Sequence, residues 1–317
     1  MERRRLGDSD IEVSVLALGS WRTYERIPHL AGVAVMQKAR EAGINFLDDA
    51  RYNDETGEAP MKTGYSEVVF GQVFRDARWP RDDVVLANKL WWEFWPEQSA
   101  AQEVDGSLRR MGMDHIDLAY SAEPPDGLTV EQLVGDIADL IKVGKLRAWG
   151  VLNWPAALIR AAAEEASKRG VPGPCAAQLA YNVVMRSPVE DAEMAAVLED
   201  AHVSVVASYT LYGGALTGKY DDPNAQGRLS AGLDGRDYSR ALLAGRALTE
   251  VAARRGAKPG ALAIAFALAN PRVASVLFGA TTPDQVGENL SAVELAESAD
   301  RSWLEDVRRI EVDPSPH

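Results

Sequence analysis

Eight short apolar runs, separated by longer stretches of helical period, constrain this chain more than any other feature of its sequence. The runs are Val15–Leu18, Asn45–Asp48, Val84–Asn88, Ile116–Tyr120, Ala148–Val151, Ala177–Leu179, Ser204–Ala207 and Ser275–Phe278, and each reads as a strand. The clearest intervening stripe joins Val130, Leu133, Val134, Ile137, Leu140 and Ile141 on one helical face. Thr129 and Gln132 open that helix in capping-box spacing, and Gly144 stops it. Strands separated by helices pair in parallel through right-handed crossovers. A closed barrel and a doubly wound open sheet both satisfy this alternation. The count of eight favours the barrel, and neither a Gly-x-Gly-x-x-Gly after the first strand nor a Walker A loop occurs. The expected fold is therefore a (β/α)8 TIM barrel of the α/β class.

A chain of 317 residues suits one such barrel, and no linker or composition break divides residues 1–317, so a single domain is expected. Three long segments, Asn53–Gly64, Trp91–Gln98 and Tyr212–Asp237, each follow a strand. They belong to the C-terminal face, where barrel enzymes place their sites. The 34 basic and 47 acidic side chains leave a formal charge of −13, which argues against nucleic acid as a partner. An anionic ligand would need local cations to overcome that field. Cys175 is the lone cysteine, which fits a reducing compartment. The start, Met1-Glu2-Arg3-Arg4-Arg5, carries no apolar run, so no signal peptide is expected. No stretch approaches the ~20 apolar residues of a membrane span. A cytoplasmic protein without a membrane partner or a metal is the expectation.

Several segments, in order, resemble the aldo-keto reductase family. Gly43-Ile44-Asn45-Phe46-Leu47-Asp48-Asp49-Ala50 is similar to its second-strand signature, and Val85-Leu86-Ala87-Asn88-Lys89 to its strand with a terminal lysine. Ser66-Glu67-Val68-Val69-Phe70-Gly71, Gly144-Lys145-Leu146-Arg147 through Asn153, and Gln178 with Tyr181 and Asn182 continue the series. Gly218-Lys219-Tyr220 and Gly279-Ala280-Thr281 through Gln285, Glu288 and Asn289 complete the cofactor half. The tail from Ala274 to Leu290 is most similar to the potassium-channel β-subunit branch.

The resemblance implies hydride transfer between a nicotinamide dinucleotide, NADPH with NADH as the alternative, and an aldehyde or ketone carbonyl. It assigns the proton to Tyr52, with Lys89 and Asp48 as the pair that tunes its phenol. Asp48 and Lys89 close apolar strands on one face, so the residues alone agree. Tyr52 lies four residues after Asp48 where the family has five, a position held here by Asn53; Tyr65 is its rival. The family's histidine position falls on Ala122. Glu123 next to it could donate if protonated in an apolar pocket, which would suit imine or enone reduction; the alternative is a solvent-facing carboxylate. Of the four histidines, His115 and His202 belong to the far end of the barrel, His317 ends the chain, and His29 alone lies on the mouth side.

For the cofactor, the resemblance assigns Asn153 and Gln178 to the carboxamide and Ser208, with Tyr209 adjacent, to the ring-stacking position, and counts Gly19, Trp21 and Leu211 among the cofactor-binding residues. Lys219 and Arg228 meet the phosphates, and Gly279, Thr281, Gln285, Glu288 and Asn289 the adenosine end. Leu152 replaces the usual serine, and Ser208 the ring-stacking aromatic. Trp91-Trp92-Glu93-Phe94-Trp95, with Trp21 and Tyr24, either walls an apolar or aromatic substrate pocket or packs a loop onto the rim. The incomplete set implies either a slow reductase or an NADPH-binding regulatory or sensor protein with little turnover.

Overall fold

The computed structural model describes residues 1–54, 57–222, 224–225, 227, 229 and 238–310. Among these residues a short antiparallel ribbon comes first, β1 (Arg3–Arg5) and β2 (Glu12–Ser14). Then follow β3 (Leu16–Gly19), β4 (Phe46–Asp48), β5 (Val85–Leu90), β6 (Ile116–Ser121), β7 (Leu146–Leu152), β8 (Ala176–Ala180), β9 (Ser204–Ser208) and β10 (Val273–Phe278). Each pairs in parallel with the next, and β10 returns to β3, so the eight close into a barrel without a free edge. All eight expected strands are present, each shifted or extended by a few residues at most.

The helices are α1 (His29–Glu41), α2 (Tyr65–Asp76), α3 (Ala100–Met111), α4 (Val130–Lys142), α5 (Ala156–Arg169), α6 (Ser187–Glu190), α7 (Ala192–Asp200), α8 (Ser239–Arg255), α9 (Pro259–Leu268), α10 (Pro283–Glu297) and α11 (Ser302–Arg308). Thr129 and Gln132 form the expected capping box on α4, and Ser99 with Gln102 forms a second on α3. Gly144, just past α4, takes the left-handed conformation that ends it (φ 76°). None of the described helices is long and apolar enough to cross a membrane.

Strand alternation sorts the core into two shells. Ala17, Phe46, Ala87, Leu118, Tyr120 and Val206 point into the barrel, while their neighbours pack against the helices. Leu6, Ile11 and Val13 join the inner shell, so the N-terminal ribbon plugs the bottom of the barrel. Its two three-residue strands are too short to show a period in the sequence. Gly7 makes the plug fit: a Cβ there would lie 2.2 Å from the His202 carbonyl oxygen. With the bottom closed, solvent reaches the interior from the C-terminal mouth, where the three long segments leave β4, β5 and β9.

Gly150 on β7 sets the width of the barrel just below that mouth. A Cβ there would sit 2.3 Å from the Ala176 carbonyl oxygen and 3.1 Å from the Tyr120 ring. Gly150→Ala must push β7 from β8 or tilt Tyr120, an overpacking that costs about 1–3 kcal/mol. The expected outcome is a lowered thermal midpoint; an unchanged midpoint would show that the barrel yields there without cost.

Candidate active site

Three inward-facing positions at strand ends converge at the mouth. Alternation from Phe46 puts Asp48 inside, alternation from Val85 and Ala87 does the same for Lys89, and Gln178 follows Ala176. The Lys89 ammonium donates to one Asp48 oxygen in a short bond and to the Asp49 carbonyl oxygen at 3.2 Å. The Gln178 amide donates to the other Asp48 oxygen at 2.8 Å. The three side chains belong to residues only 4% (Asp48), 7% (Lys89) and 3% (Gln178) exposed. Beneath them the Tyr120 ring lies 5.3 Å from the Lys89 nitrogen. A buried ion pair is costly unless its remaining hydrogen-bonding capacity is met. Here both Asp48 oxygens are engaged, which holds the ammonium at the floor of the mouth.

Tyr52 does not join this group, and the expected tuning of its phenol by Lys89 is corrected. Its hydroxyl accepts the Arg22 backbone N–H at 2.8 Å and lies beside the Glu25 carboxylate. Burial and Glu25 push the phenol far above its ordinary value of 10.0, the opposite of what an ammonium partner would do. The physical reason is the four-residue spacing. One residue fewer than five carries the side chain to the turn after β3, which includes a single 3-10 turn, Tyr24–Arg26. Asn53, at the fifth position, is exposed and bridges Thr63 within its own loop. Tyr65 opens α2 and packs against the outer core.

Glu123 is exposed, so of its two alternatives the structure has the solvent-facing carboxylate and lacks the apolar enclosure that a protonated donor needs. Its neighbour Ala122, half-buried, gives its N–H to the Leu90 carbonyl oxygen at 2.9 Å. His29 opens α1, exposed and paired with Asp76 at 2.7 Å.

Asp49 escaped the sequence reading. Because alternation sends Asp48 inward, Asp49 faces the helix layer, where it is fully buried. Ser20 donates a short hydrogen bond to one of its oxygens; the other has no partner among the described residues. Burial first, and the nearby Glu67 second, push the Asp49 carboxyl well above its ordinary value of 3.8. Two adjacent acids at a strand end were the signal: one of them had to turn away from Lys89's side of the sheet.

The aromatic segment after β5 is pinned by a second missed network. The Glu103 carboxylate on α3 accepts the Trp91 and Trp92 backbone N–H groups at 2.8 and 3.0 Å. Buried Arg51 donates to Glu103 at 3.0 Å and to Glu93 at 2.7 Å. Trp92 is packed inside, its indole bonded to the Ser121 hydroxyl at 2.9 Å. Trp91 and Trp95 are half-buried and Phe94 is exposed. Trp92 thus packs the segment onto the barrel, while Trp91, Phe94 and Trp95 stay at the rim. Trp21 is half-buried beneath the Arg22 guanidinium, 4.7 Å from its ring.

The positions assigned to a cofactor surround the other half of the mouth. Gly19 is buried at the end of β3. Asn153, in the left-handed region (φ 53°), accepts the Ala180 N–H at 3.1 Å and so ties β7 to β8. Leu152, Ser208 and Leu211 are half-buried. Tyr209 turns left-handed (φ 56°), bonds the Tyr238 hydroxyl at 3.0 Å and lies 4.8 Å from the Tyr212 ring. Lys219 is exposed, its nitrogen 4.9 Å from the Tyr220 ring. Gln285 accepts the Thr281 N–H at 2.8 Å, shaping the turn that follows exposed Gly279. Glu288 lies 3.8 Å from Lys258, and Asn289 is buried. Arg228 lies outside the described residues.

This donor set fits an anionic dinucleotide. The Asn153 amide nitrogen and the Gln178 carbonyl oxygen have no protein partner among the described residues, so each can serve a carboxamide. Gly213 and Gly214 are both left-handed, and a Cβ at Gly214 would lie 3.3 Å from the Lys219 side chain. Backbone and cation thus approach one spot closely, as a pyrophosphate requires.

Residues 15–305 match the Aldo/keto reductase family, and the chain belongs to it. Among its relatives is a protein named probable voltage-gated potassium channel subunit beta from Oryza sativa subsp. japonica, 31% identical over 93% of this chain and 92% of that one. The protein of the same name from Arabidopsis thaliana is 29% identical over 93% of this chain and 92% of its own. A putative voltage-gated potassium channel subunit beta from Schizosaccharomyces pombe is 28% identical over 97% and 92%.

Two outcomes test the networks around the site. Asp49→Asn keeps an acceptor for Ser20 and removes the titration. Because the folded value is raised, the wild type loses stability as pH climbs from the ordinary carboxylate range through the raised value. The variant escapes that loss, so its thermal midpoint should exceed the wild type's by a margin that widens as pH rises above the ordinary carboxylate range. A margin that stays flat would contradict a raised Asp49. Glu103→Ala leaves Arg51 buried with Glu93 alone and should cost about 3–5 kcal/mol. The tryptophan emission should shift to the red as the loop lifts; unchanged emission would show that the loop holds without Glu103.

Proposed function

We infer that this protein is an NADPH-dependent oxidoreductase that reduces an aldehyde or ketone carbonyl by hydride transfer, slowly, in the cytoplasm. The observation that carries this reading is the buried Lys89–Asp48 pair, held by Gln178 at the open end of a barrel plugged at the other. A protein that only bound a ligand would gain nothing from the desolvation cost of such a pair. When bound, the reduced nicotinamide supplies the hydride. Asn153 and Gln178 hold its carboxamide and so choose which ring face meets the substrate. Lys219 and the Gly213-Gly214 turn receive the phosphates. The Lys89 ammonium lies where negative charge grows on the carbonyl oxygen, and a preorganised donor of this kind is worth about 10²–10³ in rate. Trp21, Trp91, Phe94 and Trp95 at the rim favour an apolar or aromatic substrate.

A second reading, an NADPH-binding regulatory protein with little turnover, draws on two observations. The relatives carry the name of channel subunits, and neither Tyr52 nor Ala122 supplies a proton at Lys89. NADH replaces NADPH in either reading if a 2′-phosphate finds no cation. The imine or enone reading, which needs an enclosed Glu123, has no such support.

Fluorimetric titration with NADPH and then NADH, followed by a panel of aromatic and aliphatic carbonyls, separates these readings. Quenching followed by cofactor oxidation is expected, with binding about fivefold weaker in Lys219→Ala, on the order of 1 kcal/mol for an exposed ion pair. Quenching without oxidation of any carbonyl would leave the regulatory reading. No quenching by either dinucleotide would sink both.

A further inference from the structure

We propose that Lys89 itself, and not a tyrosine, gives the proton to the carbonyl oxygen; this rests on the carbonyl-reductase reading above. An ammonium has three N–H donors. Asp48 takes one and the Asp49 carbonyl oxygen, at 3.2 Å, takes the second. The third has no partner among the described residues. Below it the Tyr120 ring seals the barrel at 5.3 Å, so the remaining 4% exposure of the Lys89 side chain opens upward to the mouth.

The other acids that could compete are engaged, enclosed or exposed. The Tyr52 hydroxyl is engaged by the Arg22 N–H at 2.8 Å and by Glu25. Tyr120 is the phenol beneath Lys89; its hydroxyl has no hydrogen-bond partner among the described residues, but it is fully buried in the barrel interior. Glu123 is exposed, and Ala122 has no proton to give. The chemistry allows the substitution. Free lysine and tyrosine side chains titrate near ~10.4 and ~10, so an ammonium is as competent an acid toward a forming alkoxide as a phenol.

The step balances without a further reactant. As hydride from a reduced nicotinamide dinucleotide bonds to the carbonyl carbon, the carbon–oxygen π pair moves onto oxygen. One Lys89 N–H bond breaks and its proton joins that oxygen, giving the alcohol, the oxidised dinucleotide and a neutral amine. Water entering by the mouth then returns a proton to Lys89, which restores the pair with Asp48.

The donor can be read without turnover. A push–pull aldehyde, 4-(dimethylamino)cinnamaldehyde, absorbs further to the red when its carbonyl oxygen accepts a strong hydrogen bond. It is mixed with the full-length protein and oxidised cofactor, and single-turnover NADPH oxidation is followed in parallel with a reducible aldehyde. The red shift should appear in the wild type and persist in Tyr52→Phe and Tyr120→Phe. In Lys89→Met it should vanish and single-turnover oxidation fall by about 100-fold or more, with NADPH quenching retained. The double variant Asp48→Asn with Lys89→Met leaves no charge unpaired and covers failure of the single variant to fold. A shift that survives in the lysine variants, or that is lost with either phenol, overturns the proposal, as does an aldehyde that binds the wild type without a shift. Absence of NADPH quenching in the wild type would instead remove the functional reading itself.

Discussion

The ion pair between Lys89 and Asp48 is the constraint around which the mouth of this barrel is organised. Two charges lie where water hardly reaches, so the pair persists only with further hydrogen bonds around it. Gln178 crosses the barrel to take the second Asp48 oxygen, and the Asp49 carbonyl oxygen takes a second Lys89 proton. The Tyr120 ring presents its face to the cation from below. That ring fits only because Gly150 carries no side chain. Closing the bottom with the N-terminal ribbon completes the arrangement, since a barrel open at both ends would let water screen the pair.

A second layer of buried charge lies outside the strands. Glu67 on α2 holds Arg110 on α3 and accepts the Asn88 amide at 2.9 Å. Glu103 on α3 gathers Arg51 and two backbone N–H groups of the aromatic segment. Both networks tie α3 to the β4–β5 side of the mouth, so this helix fixes the rim at which a substrate would arrive. In a chain of formal charge −13, buried Arg51 is committed to structure, and Lys219 lies exposed beside the glycine turn.

What the sequence made legible follows from the range over which each feature acts. Strands and the α4 caps are local patterns, and they were readable. Asp48 and Lys89 were readable because a charge closing an apolar strand can face only the interior or the helices, and the parallel register puts both at one end. Tyr52 was not, because a spacing gives a position and not a direction: one residue fewer sends the phenol to the turn after β3. The Arg51–Glu103 pair spans 52 residues and leaves no local trace. The N-terminal ribbon was missed because three residues do not make a period.

Asp48 and Asp49 show how strand geometry can separate the chemistry of two identical neighbours. The inward carboxylate meets a cation and an amide. The outward one meets a serine and faces Glu67, and burial pushes its carboxyl well above the ordinary value. The separation matters for Lys89, which touches both residues, one through a side chain and the other through a carbonyl. Were both carboxyls ionised, Asp49 would add a second negative charge within reach of the ammonium and draw it from the barrel interior. The upward push on the Asp49 carboxyl opposes that second charge, so the direction of the Lys89 side chain is set by its bond to Asp48.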